Sequence, residues 1–159
     1  MGSRQLEPVT LPFSSPDELE QYLPYLIARL AHRWRQNQDQ ELSPLDIKGT
    51  NMRLLSCLSA FGELTIGELS ILAVTEQSSV SRAVEQLVVS GLAERNVSKL
   101  DQRVRTVVLS PKGTEKLAEV ATVINPLYSA LTEDIDRDDL QTCISVLQQI
   151  LAQTRENSI

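Results

Sequence analysis

The residues with the most chemistry to offer lie within about thirty positions of one another. Gln77, Ser78, Ser79, Ser81 and Arg82 crowd the start of an amphipathic pattern running from about Gln77 to Val89. Val80, Val84, Leu87 and Val88 form its apolar stripe, with Ala83 beside them, so the polar side chains share the opposite face. Short hydroxyls let a helix backbone approach a nucleic-acid duplex closely, and an arginine fork can meet guanine or phosphate. Ser78 and Ser79 would act beside the unpaired amides of the helix start, which favour anions. The same residues also suit an ordinary solvated helix with serine caps and one surface arginine.

A second group follows at once. Lys99, Arg103 and Arg105 lie within seven residues and surround Asp101. A two-stranded ribbon carrying such a connection can put one guanidinium into a narrow minor groove, where the potential is most negative. Asp101 would repel phosphate, so its role in that arrangement is to hold the loop by a charge-assisted bond. A basic hairpin turn by itself is common. A polar helix followed by a basic ribbon is a much more particular combination.

The charge distribution agrees with a local phosphate-binding face. The 159-residue chain carries a formal charge of −6. Residues 1–76 contribute 6 basic and 10 acidic groups, residues 113–159 contribute 3 and 8, and residues 77–112 reverse the balance with 6 and 3. A basic centre between acidic ends concentrates attraction for a polyanion at one place. Uneven solvation would produce the same numbers, so charge alone does not decide.

Other chemistries find little support. The one histidine, His32, removes most catalytic triads and multi-histidine metal centres, and no glycine-rich phosphate loop is present. Glu133, Asp134, Asp136, Asp138 and Asp139 lack the spacing of a calcium loop, and a helix cap accounts for Asp136 and Asp139. Cys57 and Cys143 lie in apolar helical patterns without metal or thiol–disulfide spacing. The expectation is a protein that is not an enzyme and needs no cofactor or metal. No apolar run is long enough for a membrane helix, and no signal segment is evident, which makes the expected location cytoplasmic.

These groups need positioning elements, and punctuation residues mark them. Residues 1–14 read as a flexible arm. Ser15-Pro16-Asp17-Glu18 opens a helical stretch over about 16–38 with Leu19, Leu23, Leu26, Ile27 and Leu30 on one face, and Pro24 predicts a kink or break after its first turn. Ser43-Pro44-Leu45-Asp46 starts another helical stretch, which Gly49 divides from a main helix at about 50–60. Thr65-Ile66-Gly67-Glu68 is a capping box for a short helix ending near Leu72, followed by a break at Val74–Thr75 and the 77–89 helix. Leu92–Val97 and Arg105–Leu109 read as strands. Ser110-Pro111 opens a helix to about residue 131, bent at Pro126, and Asp136 caps a last helix with Leu140, Ile144, Leu147, Ile150 and Leu151 in line.

In this order the residues resemble the MarR-type winged helix-turn-helix transcriptional regulators, over about residues 42–151. The resemblance is carried by Leu64-Thr65-Ile66-Gly67-Glu68-Leu69, by Gln77 through Leu87, by Gly91-Leu92-Ala93-Glu94-Arg95, by Asp101-Gln102-Arg103 and by Leu109-Ser110-Pro111-Lys112-Gly113. It implies a mainly α fold with a small β-wing. A single domain would span 15–159, with a winged helix-turn-helix core at about 50–110 and dimerisation helices at about 16–38 and 111–155. It also implies a homodimer on a palindromic double-stranded operator, usually as a repressor.

Residue by residue, the resemblance makes Gln77, Ser78, Ser79, Ser81 and Arg82 the major-groove group and Arg103 the minor-groove arginine, with Asp101 orienting the wing between Lys99 and Arg105. Asn51 and Arg53 fall where relatives touch phosphate or tie a helix to the reading head. Two features depart from the pattern: the wing is less basic than usual, and Leu45–Thr50 is longer. Many such regulators release DNA on binding a small aromatic or phenolic anion, for which His32, Trp34, Arg35, Arg53 and Cys57 are the candidate lining here. Each of these also has a plain structural role available. A dimeric interaction protein without DNA binding, or an oxidant-sensing regulator, remains the alternative.

Overall fold

The computed structural model describes residues 9, 11–97, 103 and 105–154. Helix α1 (Pro16–Gln21) starts at Ser15, whose hydroxyl accepts from the Glu18 amide at 3.3 Å. Just before it, the Phe13 ring packs on Tyr22 with centroids 5.2 Å apart. The expected interruption falls at Tyr22, which is extended, and Pro24 then sits within the first turn of α2 (Leu23–Leu42), where its missing N–H costs nothing. Helix α2 outlasts the expected end by four residues, because Gln38 and Leu42 bury themselves against the following unit. A single 3-10 turn, Ser43–Leu45, leads through left-handed Asp46 to α3 (Gly49–Phe61). Gly49 is the first residue of that helix rather than a divider before it.

The central unit contains α3, α4 (Ile66–Leu72), α5 (Gln77–Val89) and a three-stranded antiparallel sheet. Its strands are β1 (Leu64–Thr65), β2 (Ala93–Val97) and β3 (Arg105–Leu109), in the order β1-β3-β2. Strand β1 escapes sequence reading because two residues carry no alternation. Its pairing is with Thr106 and Val107 of β3, and the Glu63 carboxylate accepts from the Thr106 hydroxyl. Helix α6 (Pro111–Thr132) runs on through Pro126, and α7 (Arg137–Gln153) starts at Asp136, whose Oδ1 accepts from the amides of Asp138 and Asp139. The fold is mainly α with a small β-wing.

The core explains the division of labour between these elements. Leu54, Leu55, Leu58, Leu69, Val80, Val84, Leu87 and Val107 are buried together, all from the central unit. Among the described residues, the helices outside that unit add buried Leu42 from α2 and Val120 from α6, with half-buried Leu117 and Ile124 of α6 packed against the same core. Helices α1 and α7 bury no residue at all within one chain. Leu26, Ile27, Leu30, Tyr128, Leu131, Ile135, Ile144, Val146 and Leu151 therefore face outward, with Leu30 55 % exposed.

Candidate nucleic-acid interface

Helix α5 runs from Gln77 to Val89, where its pattern predicts it, and Val80, Ala83, Val84 and Leu87 anchor it in the core. That anchoring turns Gln77, Ser78, Ser81, Arg82, Glu85 and Gln86 to solvent and leaves Ser79 half-buried. Arg82 Nε donates to the Ser78 carbonyl oxygen at 3.3 Å, which lays the guanidinium back along the helix toward its N-terminus. No side chain caps the start of α5, so its first amides stay available beside Gln77 and Ser78.

The turn that aims α5 is tied from a distance. Arg53 on α3 donates from Nη1 to the Ala73 carbonyl oxygen at 2.9 Å. The Thr75 hydroxyl donates to the same oxygen at 3.0 Å, and the Thr75 amide reaches Ser70 O at 3.0 Å. On the far side, the Thr65–Glu68 capping box fixes α4: Glu68 Oε2 accepts from the Thr65 amide at 2.7 Å and from its hydroxyl at 2.8 Å. First the Thr65 N–H and then its hydroxyl hold the Glu68 carboxyl below the usual carboxylate range, against a smaller opposing effect of burial. Of the two roles open to Arg53, the tie to the reading head is visible in these bonds. Asn51, two residues before it, is half-buried at the start of α3.

Beyond α5, β2 and β3 form the expected ribbon, with Val97 opposite Arg105 at its outer end. Arg103 and Arg105 are exposed there; Lys99 and Asp101 lie outside the described residues. The ribbon adds a cation that sequence reading gave no role. Arg95 on β2 is exposed and lines a shallow hollow of about 390 Å³ with Arg105 and Ile66. Strand alternation gave no signal for it, because Arg95 shares a face with buried Ala93 and stands opposite buried Val107; it is exposed only because the ribbon extends past the core.

An open cavity of about 810 Å³ lies between the end of α2, the start of α3 and the flank of α5. Arg35, Asp39, Lys48, Asn51, Arg53 and Gln86 are among the side chains around it. Of the five candidate effector residues it gathers Arg35 and Arg53 and leaves out the other three. Trp34 instead packs edge-on against Tyr128 of α6, centroids 6.5 Å apart, and His32 is exposed on α2. Cys57 is buried, and burial pushes its thiol pKa up more than nearby Arg53 pulls it down, which opposes thiolate chemistry. Lys48 and Gln86 were not among the candidates; only folding brings them to the cavity.

Comparison with known proteins gives this arrangement a context. Residues 45–104 match the MarR family. A MarR family transcriptional regulator from Silicibacter pomeroyi DSS is 50 % identical, with a TM-score of 0.84, and the match covers 89 % of this chain and 95 % of that one. MarR from E. coli, as a cysteine-to-serine mutant complexed with operator DNA, is similar in fold, with a TM-score of 0.72 at 23 % identity over 84 % of this chain and 97 % of that one. The HTH-type transcriptional repressor IacR of Pseudomonas putida is 24 % identical over 139 residues, which is 87 % of this chain and 83 % of that protein. Such relatives are regulators of transcription. Among the described residues no helix is long and apolar enough to cross a membrane. With its three-stranded wing, its buried α5 stripe and a relative half identical along nearly its whole length, the chain belongs to the MarR family of winged helix-turn-helix transcriptional regulators.

Proposed function

We propose that the protein is a sequence-specific repressor that binds a palindromic duplex as a homodimer and lets go when a small aromatic or phenolic acid binds. The observation that carries this reading is the outer face of α5: a core-anchored helix presents Gln77, Ser78, Ser81 and Arg82 together, with the basic ribbon at its flank. In it, Ser79 and these four residues address the major groove. Arg103 enters the minor groove, with Lys99 and Arg105 beside it and Asp101 shaping the loop. Asn51 contacts phosphate, and Arg53 holds the turn.

Dimerisation is supported by the outer helices. A 17-residue helix that buries nothing in its own chain while exposing Ile144, Val146 and Leu151 needs a partner surface. A twofold pair would supply both reading heads that a palindrome requires. The effector is best accommodated in the 810 Å³ cavity, where Arg35 and Arg53 offer cations to a carboxylate. Placement there makes Trp34 and Cys57 packing residues and His32 a solvated one.

The decisive experiment is selection of bound duplexes from a random pool at fixed salt. Recovery of an inverted repeat with half-sites about one helical turn apart is the expected result. A soluble dimer that enriches no sequence and shows no salt-dependent affinity for duplex DNA is an interaction protein instead.

A further inference from the structure

We propose that Val74, in the turn between α4 and α5, is a DNA contact whose isopropyl group packs on apolar atoms at the wall of the major groove. The inference rests on the DNA-binding reading above and names a residue that reading does not use.

Val74 has φ of 50°, in the left-handed region. A β-branched side chain is a real outlier there, since its two γ-carbons crowd the backbone that glycine or asparagine would tolerate. The conformation is imposed from around it. The Val74 amide donates to Ile71 O at 3.1 Å, while the preceding carbonyl receives both Arg53 and Thr75. Ala73, one residue earlier, is completely buried, yet Val74 is 85 % exposed. The valine thus carries backbone strain and recovers almost nothing by burial within its own chain. Strain of this kind persists where a side chain serves a site.

What lies around Val74 identifies the partner. It stands three residues ahead of Gln77, at the mouth of α5. It borders the same cavity as Asn51, Arg53, Thr75 and Gln86. The outward apolar stripes that suit a second copy of the chain are on α2, α6 and α7, not on this turn. When the N-terminus of α5 enters a major groove, the turn before it meets the groove's edge. The apolar atoms there are thymine methyls and deoxyribose carbons.

The test pairs thermal melting with fluorescence anisotropy on the selected operator, using the full chain and Val74→Gly, Val74→Asn and Val74→Leu. Glycine and asparagine relieve the strain, so both should raise the melting midpoint by about 2–4 °C. Both should nevertheless weaken operator binding, by about 4-fold or more per half-site, because the isopropyl group no longer covers apolar DNA atoms. Val74→Leu, apolar but unbranched at Cβ, should keep the affinity. Deoxyuridine in place of thymine then locates the packed atoms. Weaker binding at one symmetric position for the wild type, absent in Val74→Gly, assigns a thymine methyl; no such position, with Val74→Gly still weaker, assigns deoxyribose. Stabilised Gly and Asn variants that bind as tightly as the wild type would overturn the proposal, as would equal weakening by Leu and Gly. A wild-type chain that selects no duplex refutes the DNA-binding reading itself, which is a different result.

Discussion

Replacing Arg53 by alanine separates a structural tie from a phosphate contact, because the two leave different marks in salt. The substitution removes the bond from Nη1 to Ala73 O at 2.9 Å. That carbonyl keeps the Thr75 hydroxyl at 3.0 Å, so no acceptor is orphaned in the turn. A hydrogen bond from a charged donor contributes roughly 1.5–3 kcal/mol when well formed. Partial exposure and the retained Thr75 bond reduce the expected loss to about 1 kcal/mol, or a fall of about 2–4 °C in melting midpoint for a chain of this size. Operator affinity should fall as well, since the slackened turn leads into Gln77. The slope of log affinity against log salt should stay at the wild-type value, because no phosphate is deprived of its counter-charge. Removing a phosphate-binding cation would instead lower the slope by about 0.9 per phosphate. Arg53→Lys sharpens the comparison: lysine keeps the charge without the planar fork, so for a tie it should resemble alanine. An unchanged melting midpoint, a reduced slope and recovery by lysine would refute the role assigned to Arg53.

The same geometry sets four further expectations. Arg82→Ala should cost roughly 1–3 kcal/mol per half-site and relax preference at one symmetric pair of positions, whereas Arg103→Ala should weaken operator and scrambled duplex more evenly; anisotropy on both duplexes distinguishes them. Glu68 titrates below its unfolded value, so its contribution is present above about pH 4.3 and is lost as pH falls through the folded pKa. Glu68→Gln should therefore lower the melting midpoint near neutrality and differ least from the wild type once the pH falls below the lowered folded-state value, where the wild-type carboxyl is also neutral. Gly113→Ala would put a Cβ 2.1 Å from Leu92 O and 2.7 Å from Leu109 Cδ1, and the former is backbone. Its cost should reach or exceed the ~3 kcal/mol upper range of overpacking, measurable by urea denaturation. Leu30→Glu, on the outward stripe of α2, should shift sedimentation equilibrium toward monomer at micromolar concentration; an unchanged dimer would remove that stripe from the interface.

Local signals were legible in the sequence, and long-range ones were not. Ser15, Thr65, Ser110 and Asp136 each announce a helix start by a hydroxyl or carboxylate at a fixed offset from its amide partner, and each makes that bond. The bounds of α5 follow from the valine and leucine spacing in the same way. By contrast, the Arg53–Ala73 bond spans twenty residues, and nothing local to either position records it. Gln38 shows the same limit from the opposite side. A glutamine in a polar run reads as exposed, yet it is buried where α2 meets the start of α3. The candidate site divides along this line: the exposed face of α5 was readable, while the cavity's membership depended on how α2 and α3 cross.

In the proposed homodimer, that crossing is also where assembly and DNA reading would communicate. The outer helices enter the central core through Leu42 of α2 and through Val120 of α6, with Leu117 and Ile124 packed beside it, and Trp34 against Tyr128 braces α2 on α6. Interiors are packed densely enough that such small contacts transmit displacement rather than absorb it. A palindrome fixes the separation of two reading helices at about one turn of duplex, roughly 34 Å. In a dimer built on the outer helices, that separation is set by the angle at which α2 and α6 leave each central unit. The 810 Å³ cavity lies at one of these junctions, between α2, α3 and α5. A molecule that wedges α2 from α3 there need not touch a base to abolish recognition. Tilting each unit by a few degrees changes the spacing between the heads, and the polar face of α5 then meets the duplex out of register.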